Sequence, residues 1–362
     1  MTTLDSYRTV PGSGLRISPA TLGTMTFGED HGWGASVADS ERMLDEYVDA
    51  GGNSIDTANI YTNGHSEVII GDWLTGHPGL RDRLVLGSKF FVNLHPGDPN
   101  GGGAGRKAIL HQVEDSLRRL RTDYLDLYWL HNFDLATPRE ETLRALDDLV
   151  SAGKIRYVGF SDVPAWATAE AIVLARSHGW APVIAIQAEY SLLERTAEGE
   201  LLPMARSLGA GVLPWSPLKG GWLSGKFHTG AAEPEDTIRS QGNRPPTSAY
   251  PVLDAVRATA DELGTTPAEV ALAWVRGTPG VTSTILGARH LEQLRANLQS
   301  LALELPADAR ARLDEVSTPK LNFPAQNNAE LAPMLQFAGA TVDGVTHSVW
   351  PSLTGTDSQS RV

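Results

Sequence analysis

Three stretches in succession decide the fold: Leu84-Val-Leu-Gly-Ser-Lys89, then Arg106-Lys-Ala-Ile-Leu-His-Gln-Val-Glu-Asp-Ser-Leu-Arg-Arg-Leu120, then Tyr124-Leu-Asp-Leu-Tyr-Trp-Leu-His131. The outer two are short apolar runs bounded by polar residues, which read as buried strands. The middle one places Ile109, Val113, Leu117 and Leu120 on one face at the helical period. Strand, amphipathic helix and strand in that order make a parallel βαβ unit.

Working outward, the same alternation recurs along the chain. Strands are expected at Ala20–Gly23, Asn53–Asp56, Leu84–Lys89, Tyr124–His131, Tyr157–Ser161, Ile184–Gln187, Val212–Trp215 and Thr282–Leu286. Helices are expected at Ser40–Ala50, Arg106–Leu120, Pro138–Ser151, Pro164–His178, Pro267–Arg276 and Leu291–Ser300, with Asp39 and Thr137 as N-caps and Gly153 and Gly179 after C-termini. Eight βα units in 362 residues favour a single (β/α)8 TIM barrel over an open doubly wound sheet. Arg8–Val10 and Leu15–Ser18 flank Pro-Gly-Ser-Gly and form an N-terminal β-hairpin that could close the barrel bottom. Two segments break the alternation, Pro96–Gly105 and about Lys226–Ala249, and loops of that length on the C-terminal face are read as lids or binding loops. The barrel is expected to span residues 1–325. Residues 326–362 form a polar extension, partly disordered, with a helix at Leu331–Phe337.

Composition narrows the function. A formal net charge of -13 and the absence of a Lys/Arg-rich run oppose nucleic-acid binding. There is no cysteine, so disulfides and thiolate chemistry are excluded. No run reaches the roughly 18 apolar residues of a membrane span, and Met1–Val10 lacks a secretory signal, so a cytoplasmic protein is expected. Gly220-Gly-Trp-Leu-Ser-Gly-Lys226 has P-loop spacing, but Phe227 stands where the magnesium-binding hydroxyl belongs. Gly101–Gly105 follows no strand, and the ten histidines contain no HExxH, so no catalytic metal is expected.

In a parallel barrel the C-terminal strand ends carry function. There the sequence offers Asp56 and Tyr61, then Lys89, then His131, on three successive strands. Singly, each has an ordinary structural use as turn residue, solvated cation or bonded core histidine. Jointly they describe carbonyl reduction. A Lys ammonium beside a phenol favours the phenolate and is expected to lower the Tyr61 pKa. The Asp56 carboxylate keeps the ammonium charged. A neutral His131 can donate to a carbonyl oxygen while Tyr61 delivers its proton.

Asp56-Thr-Ala-x-x-Tyr61, Ser88-Lys89 and Leu130-His131 resemble the Asp-Tyr-Lys-His tetrad of the aldo-keto reductase superfamily, and the likeness runs from about Tyr7 to Leu321. Supporting segments are Gly23-Thr-Met-Thr-Phe-Gly28, Gly159-Phe-Ser-Asp162, Gln187-Ala-Glu-Tyr-Ser191, Trp215-Ser-Pro-Leu218, Ser224-Gly-Lys226 and Ile285-Leu-Gly-Ala288. Within the superfamily the chain is most similar to bacterial reductases related to potassium-channel β-subunits. The resemblance implies NADP(H) as cofactor and a small-molecule carbonyl substrate, with homo-oligomerisation left open. It assigns Thr24 and Met25 to the cofactor site, Ser161, Asp162 and Gln187 to the nicotinamide carboxamide, and Trp215 to the ring face. Ser216, Pro217, Leu218, Gly221, Ser224 and Lys226 match the segment around the pyrophosphate, and Gly287, Arg289, Gln293 and Asn297 the adenosine phosphate, with Arg239 a further cation. Arg289 favours NADP over NAD. Trp33, Phe90, Phe91 and Trp222 are expected to line the substrate pocket. Two positions depart from the pattern: Asp162 replaces the usual Asn, and Ala296 replaces an acidic residue beside adenine. The alternative from the channel-related likeness is a cofactor-binding regulatory subunit, a redox sensor with little turnover.

Overall fold

The computed structural model describes residues 2–230 and 244–354. Its centre is an eight-stranded sheet: β3 (Ala20–Gly23), β4 (Ser54–Asp56), β5 (Val85–Phe90), β6 (Leu125–Leu130), β7 (Ile155–Ser161), β8 (Val183–Glu189), β9 (Gly211–Trp215) and β10 (Thr284–Gly287). All neighbouring pairs are parallel, and β10 returns to pair with β3. Thr282 and Ser283 donate backbone N–H groups to the Val212 carbonyl at 2.8 and 3.4 Å, drawing β9 and β10 together into a barrel. The expected strand positions agree with these to within two residues.

Alternation along each strand builds two cores. Leu22, Ile55, Leu86, Phe90, Tyr128, Phe160, Ile186 and Val212 pack outward against the helices. Val85, Leu127, Trp129, Ala185, Leu213 and Ile285 fill the barrel, where Val10 and Ile17 join them. Those two come from an antiparallel hairpin, β1 (Arg8–Thr9) and β2 (Arg16–Ile17), which plugs the N-terminal end. The fully buried Trp129 ring claims the barrel centre. A Cβ on Gly159 would lie 2.3 Å from it, so only glycine fits beside that ring.

Helices α1 (Val37–Asp49), α2 (His65–Gly76), α3 (Arg106–Leu120), α4 (Arg139–Ser151), α5 (Ala165–His178) and α6 (Leu201–Leu208) follow in order. The remainder are α7 (Tyr250–Leu263), α8 (Pro267–Arg276), α9 (Leu291–Gln299), α10 (Ala307–Val316) and α11 (Ala325–Phe337). Three expectations are corrected. Ser36, not Asp39, caps α1: its hydroxyl accepts from Asp39 N at 3.1 Å, so Asp39 falls in the first turn. Thr137 does not cap α4. Its hydroxyl donates to Asp134, whose carboxylate also accepts from the N–H groups of Ala104, Ala136 and Thr137. The C-terminal helix begins at Ala325 and buries none of its residues, and a short hairpin, β11 (Thr341–Val342) and β12 (Val345–Thr346), follows it. Among the described residues no helix is long and apolar enough to cross a membrane. Part of the long loop before Ala249, Arg239 included, and the last eight residues lie outside the described residues.

Candidate active site

The chain keeps pairing beyond the end of β4. Thr57 N donates to Gly87 O at 2.9 Å and Asn59 N to Lys89 O at 3.3 Å, holding the segment that leads to Tyr61 alongside β5. A tight turn over Tyr61–Gly64 then bends back, with Thr62 and Asn63 in the left-handed region. On the other side of β5, His131 N donates to Phe90 O at 3.0 Å. The four side chains thus come together by strand register.

Lys89, 1% exposed, is the hub. Its Nζ donates to the Asp56 carboxylate, to Thr57 O at 2.8 Å and to the Tyr61 hydroxyl at 2.9 Å. Three acceptors satisfy its three protons, as a buried ammonium requires. Gln187 Nε2 donates to the second Asp56 oxygen at 2.7 Å, so the carboxylate is fixed at both ends. Burial alone would push the Lys89 pKa down, but Asp56 and Tyr61 together hold it above its ordinary value.

The Tyr61 phenol overturns one expectation. Burial raises its pKa by more than the Lys89 ammonium lowers it, so the group is held protonated rather than poised as phenolate. For a proton donor that is the useful state. The Tyr61 and His131 rings meet edge to face with centroids 5.9 Å apart. Burial, aided by the Lys89 charge, drives the His131 pKa down to about 3, so the imidazole is neutral. Its Nδ1 is buried without a partner.

At the next strand ends, Asp162 N donates to Gln187 O at 3.1 Å, and the residue adopts a left-handed φ of 53°. Asn and Asp tolerate that region better than other non-glycine residues, so the Asp here keeps the backbone an Asn would give. The Trp215 indole N–H donates to its Oδ1 at 3.1 Å, and the Ser161 hydroxyl lies 3.4 Å from Oδ2. No side chain caps α5, so Asp162 is not a helix cap. Burial raises its pKa against the opposing pull of the Trp215 and Ser161 hydrogen bonds.

After β9 the chain makes a run of turns in which Ser216, Lys219, Gly220, Gly221 and Gly225 all have positive φ. Pro217 is buried, Leu218 O accepts from Gly221 N and Leu223 N, and the Ser224 hydroxyl donates to Gly221 O. Lys226 is exposed beyond it. Across β10, Gly287 is exposed, Arg289 N donates to Gln293 Oε1 at 2.9 Å, and Asn297 Nδ2 reaches Gly287 O at 3.4 Å.

Other expected residues divide. Thr24 is fully buried, its hydroxyl donating to Asp56 O at 3.0 Å while Ser66 binds it in turn, so its role here is structural. Met25 is exposed, and Trp33, Phe91 and Trp222 are half-buried on C-terminal-face loops. Phe90 is corrected: it is fully buried and stacks on Tyr128 at 4.7 Å, on the strand face opposite Lys89, so it is core and not pocket wall. The linear reading missed the Thr57 carbonyl as a Lys89 acceptor and Gln187 as the partner of Asp56. A groove of about 650 Å³ lies between the end of α3 and the turn after α4. It contains none of these residues, because it sits at the opposite barrel end.

Residues 20–318 match the aldo/keto reductase family. The chain belongs to that family. Relatives include an uncharacterised oxidoreductase of Bacillus subtilis, 36% identical over 86% of this chain and 95% of its own length. The protein tas of Escherichia coli is 37% identical over 86% and 97%. An NADP+ aryl-alcohol dehydrogenase of Phanerodontia chrysosporium is 32% identical over 87% and 86%. Membership in the aldo/keto reductase family makes the chain an oxidoreductase with a nicotinamide cofactor and a small-molecule substrate.

Proposed function

We propose that this chain reduces an aldehyde or ketone to an alcohol with NADPH, Tyr61 being the proton donor. The observation that carries the reading is the Lys89 ammonium, buried between Asp56, the Thr57 carbonyl and the Tyr61 hydroxyl. The bound cofactor supplies the hydride. As negative charge grows on the substrate oxygen, the Tyr61 phenol gives up its proton, and Lys89 at 2.9 Å stabilises the phenolate left behind. Gln187 and Lys89 hold Asp56 so that the ammonium keeps its charge. His131 enters neutral. With Nδ1 buried and unpartnered, a lone pair there costs less than an orphaned N–H, which puts the proton on Nε2 as donor to the carbonyl oxygen.

The residues present fit a dinucleotide. Trp215 stands half-exposed at a strand end with its indole fixed edgewise by Asp162, offering a ring face to the nicotinamide. Gln187 keeps its carbonyl oxygen for the carboxamide, and the Ser161 hydroxyl, held only by a long 3.4 Å bond to Asp162, can turn to it. The left-handed turns at 216–225, with Ser216, Lys219, Gly220, Gly221 and Gly225 at positive φ, are of the kind whose backbone N–H groups form anion sites such as a pyrophosphate requires. Among the described residues no carboxylate pairs with the Arg289 guanidinium, and that supports the 2′-phosphate of NADP as its partner. Aryl aldehydes head the substrate panel, because one relative is named for aryl alcohols.

The test is NADPH oxidation by the purified chain with a panel of aryl and aliphatic aldehydes and ketones, for the parent and Tyr61→Phe. Tyr61→Phe should lower kcat by about 10²-fold or more, the usual scale for a lost general acid, with cofactor affinity nearly unchanged. Full turnover in the variant would reduce Tyr61 to a structural residue. No turnover in the parent, with tight NADPH binding, would favour the regulatory alternative.

A further inference from the structure

A second site lies outside the tetrad and needs nothing from the reductase reading. The loop after β5 leaves the barrel at Phe91 and returns at Gly105 before α3. Its ends are tied down: Phe91 N donates to Gln112 Oε1 at 3.0 Å, Gly103 N to Phe91 O at 2.7 Å, and Ala104 N to the Asp134 carboxylate at 2.7 Å. Its middle, His95 to Asn100, is exposed. Bonds within the loop shape that middle: His95 N to Asn93 Oδ1 at 2.8 Å, Asn93 Nδ2 to Asp98 O at 2.8 Å and Asp98 N to His95 O at 3.0 Å. This folding carries the His95 ring onto α3.

There it meets His111 and Asp115, one helical turn apart on the same face. His111 Nδ1 lies 3.4 Å and His95 Nε2 3.9 Å from Asp115 Oδ2. The three ligand atoms fall within 4.8 Å of one another, and among the described residues no other His/Cys/Asp/Glu group does so. The two imidazoles stand edge to face at 5.6 Å. Arg118 holds the other Asp115 oxygen at 2.6 Å, which leaves Oδ2 turned toward the imidazoles. Zinc bonds of about 2.0 to 2.2 Å in a tetrahedron set neighbouring ligand atoms about 3.3 to 3.5 Å apart. The observed spacings need only small side-chain rotations to reach that, and the two histidines are exposed enough to make them.

We propose that His95, His111 and Asp115 form a divalent transition-metal site of the zinc type, which staples the middle of the 91–105 loop to α3. Two nitrogens and one carboxylate oxygen suit Zn2+ rather than Mg2+ or Ca2+, which take oxygen ligands. A fourth position stays open to water. The site lies on the outer side of α3 and takes no part in proton or hydride transfer. It acts on the loop that leaves the strand carrying Lys89. A metal would join that loop's exposed middle to a helix and so lower its mobility.

The test is titration of the full chain with ZnCl2 by calorimetry, for the parent, His95→Ala, His111→Ala, Asp115→Asn and the control His178→Ala. One Zn2+ should bind per chain. Each of the three ligand variants should weaken binding by about tenfold or more, since even losing a group that supports a ligand costs about 10- to 100-fold, and the control should not. Absence of saturable Zn2+ binding in the parent, or equal affinity in the parent and His111→Ala, overturns the site. Hydrogen exchange of amides 93–100 tests the staple: Zn2+ should slow it in the parent and not in His95→Ala, and binding without protection overturns the staple. Turnover of NADPH is not a readout in either arm, so failure here leaves the proposed reduction untouched.

Discussion

At the scale of single residues, the site depends on which charges burial permits. Lys89 stays charged because three acceptors surround it, whereas His131 has no charged acceptor and stays neutral. The histidine therefore couples folding to pH. Its folded pKa, about 3, lies below the ordinary 6.5, so the unfolded chain takes up a proton that the folded chain refuses. His131 thus costs no stability above about pH 6.5, and stability falls as pH drops from there toward 3. The loss is at most about 1.4 kcal/mol per pH unit. Urea unfolding of the parent and His131→Asn at pH 7 and pH 5 should show the gap between them shift in the variant's favour by about 1 to 2 kcal/mol at the lower pH. A gap independent of pH would mean that His131 is solvated in the folded state. Asp162 acts differently, through a neighbour. Its carboxylate holds the Trp215 indole edge, so Asp162→Ala should free the ring and weaken NADPH binding by about 1 to 2 kcal/mol. Asp162→Asn, which keeps an acceptor oxygen and the left-handed backbone, should bind nearly as the parent does. Fluorescence titration with NADPH distinguishes them, and equal affinity in Asp162→Ala and the parent would remove the positioning role.

At the scale of elements, legibility followed burial geometry. Strands buried on both faces read as apolar runs, so all eight were visible, as was α3 with its clean stripe. Helix α2 was not: it buries Ser66, Glu67 and Gly71 along with Ile69, Ile70 and Trp73, and the polar members hide the period. Glu67 is tolerated there because Arg119 pairs with it at 2.6 Å and Ser88 donates to it. Both partners are distant in sequence. The α1 cap was misplaced because Ser36 and Asp39, three residues apart, are both good caps, and hydrogen-bond geometry alone chooses. Phe90 could have been placed, since alternation turns it away from Lys89. The tetrad was legible as residue types at strand ends. The pairs Asp56–Gln187 and Asp162–Trp215 were not, because barrel closure rather than local pattern brings them together. The fit of Gly159 against Trp129, by contrast, comes from the β6–β7 register, which pairs the two residues, and it is testable. Gly159→Ala places a methyl 2.3 Å from the ring, so Trp129 or β7 must move. Overpacking of this kind costs about 1 to 3 kcal/mol. Thermal unfolding should detect that cost, and a variant as stable as the parent would show that the ring has room to shift.

At the scale of the whole molecule, the barrel separates stability from chemistry by its two ends. The C-terminal face carries the tetrad, the half-exposed Trp215 and the open turns at 216–225. On the proposed function, their polar groups are the ones that meet cofactor and substrate. The N-terminal end is closed by the hairpin, whose Val10 and Ile17 are at most 1% exposed within the inner core. Arg8 ties that hairpin to the strand closing the barrel, donating to Val281 O at 3.2 Å and Thr282 O at 3.4 Å. The hairpin thus braces the β9–β10 seam. Removing part of the plug should weaken the whole fold while leaving the catalytic face as it was. Ile17→Ala leaves a cavity in a core that strand pairing prevents from collapsing, at a cost of about 2 to 5 kcal/mol. Its urea midpoint should fall accordingly. Under conditions where the variant remains folded, kcat/KM for any carbonyl substrate the parent reduces should stay within about twofold of the parent. Any larger fall in kcat/KM in the folded variant would mean that strain at the plug reaches Lys89 through the inner core, and that the two ends are not independent.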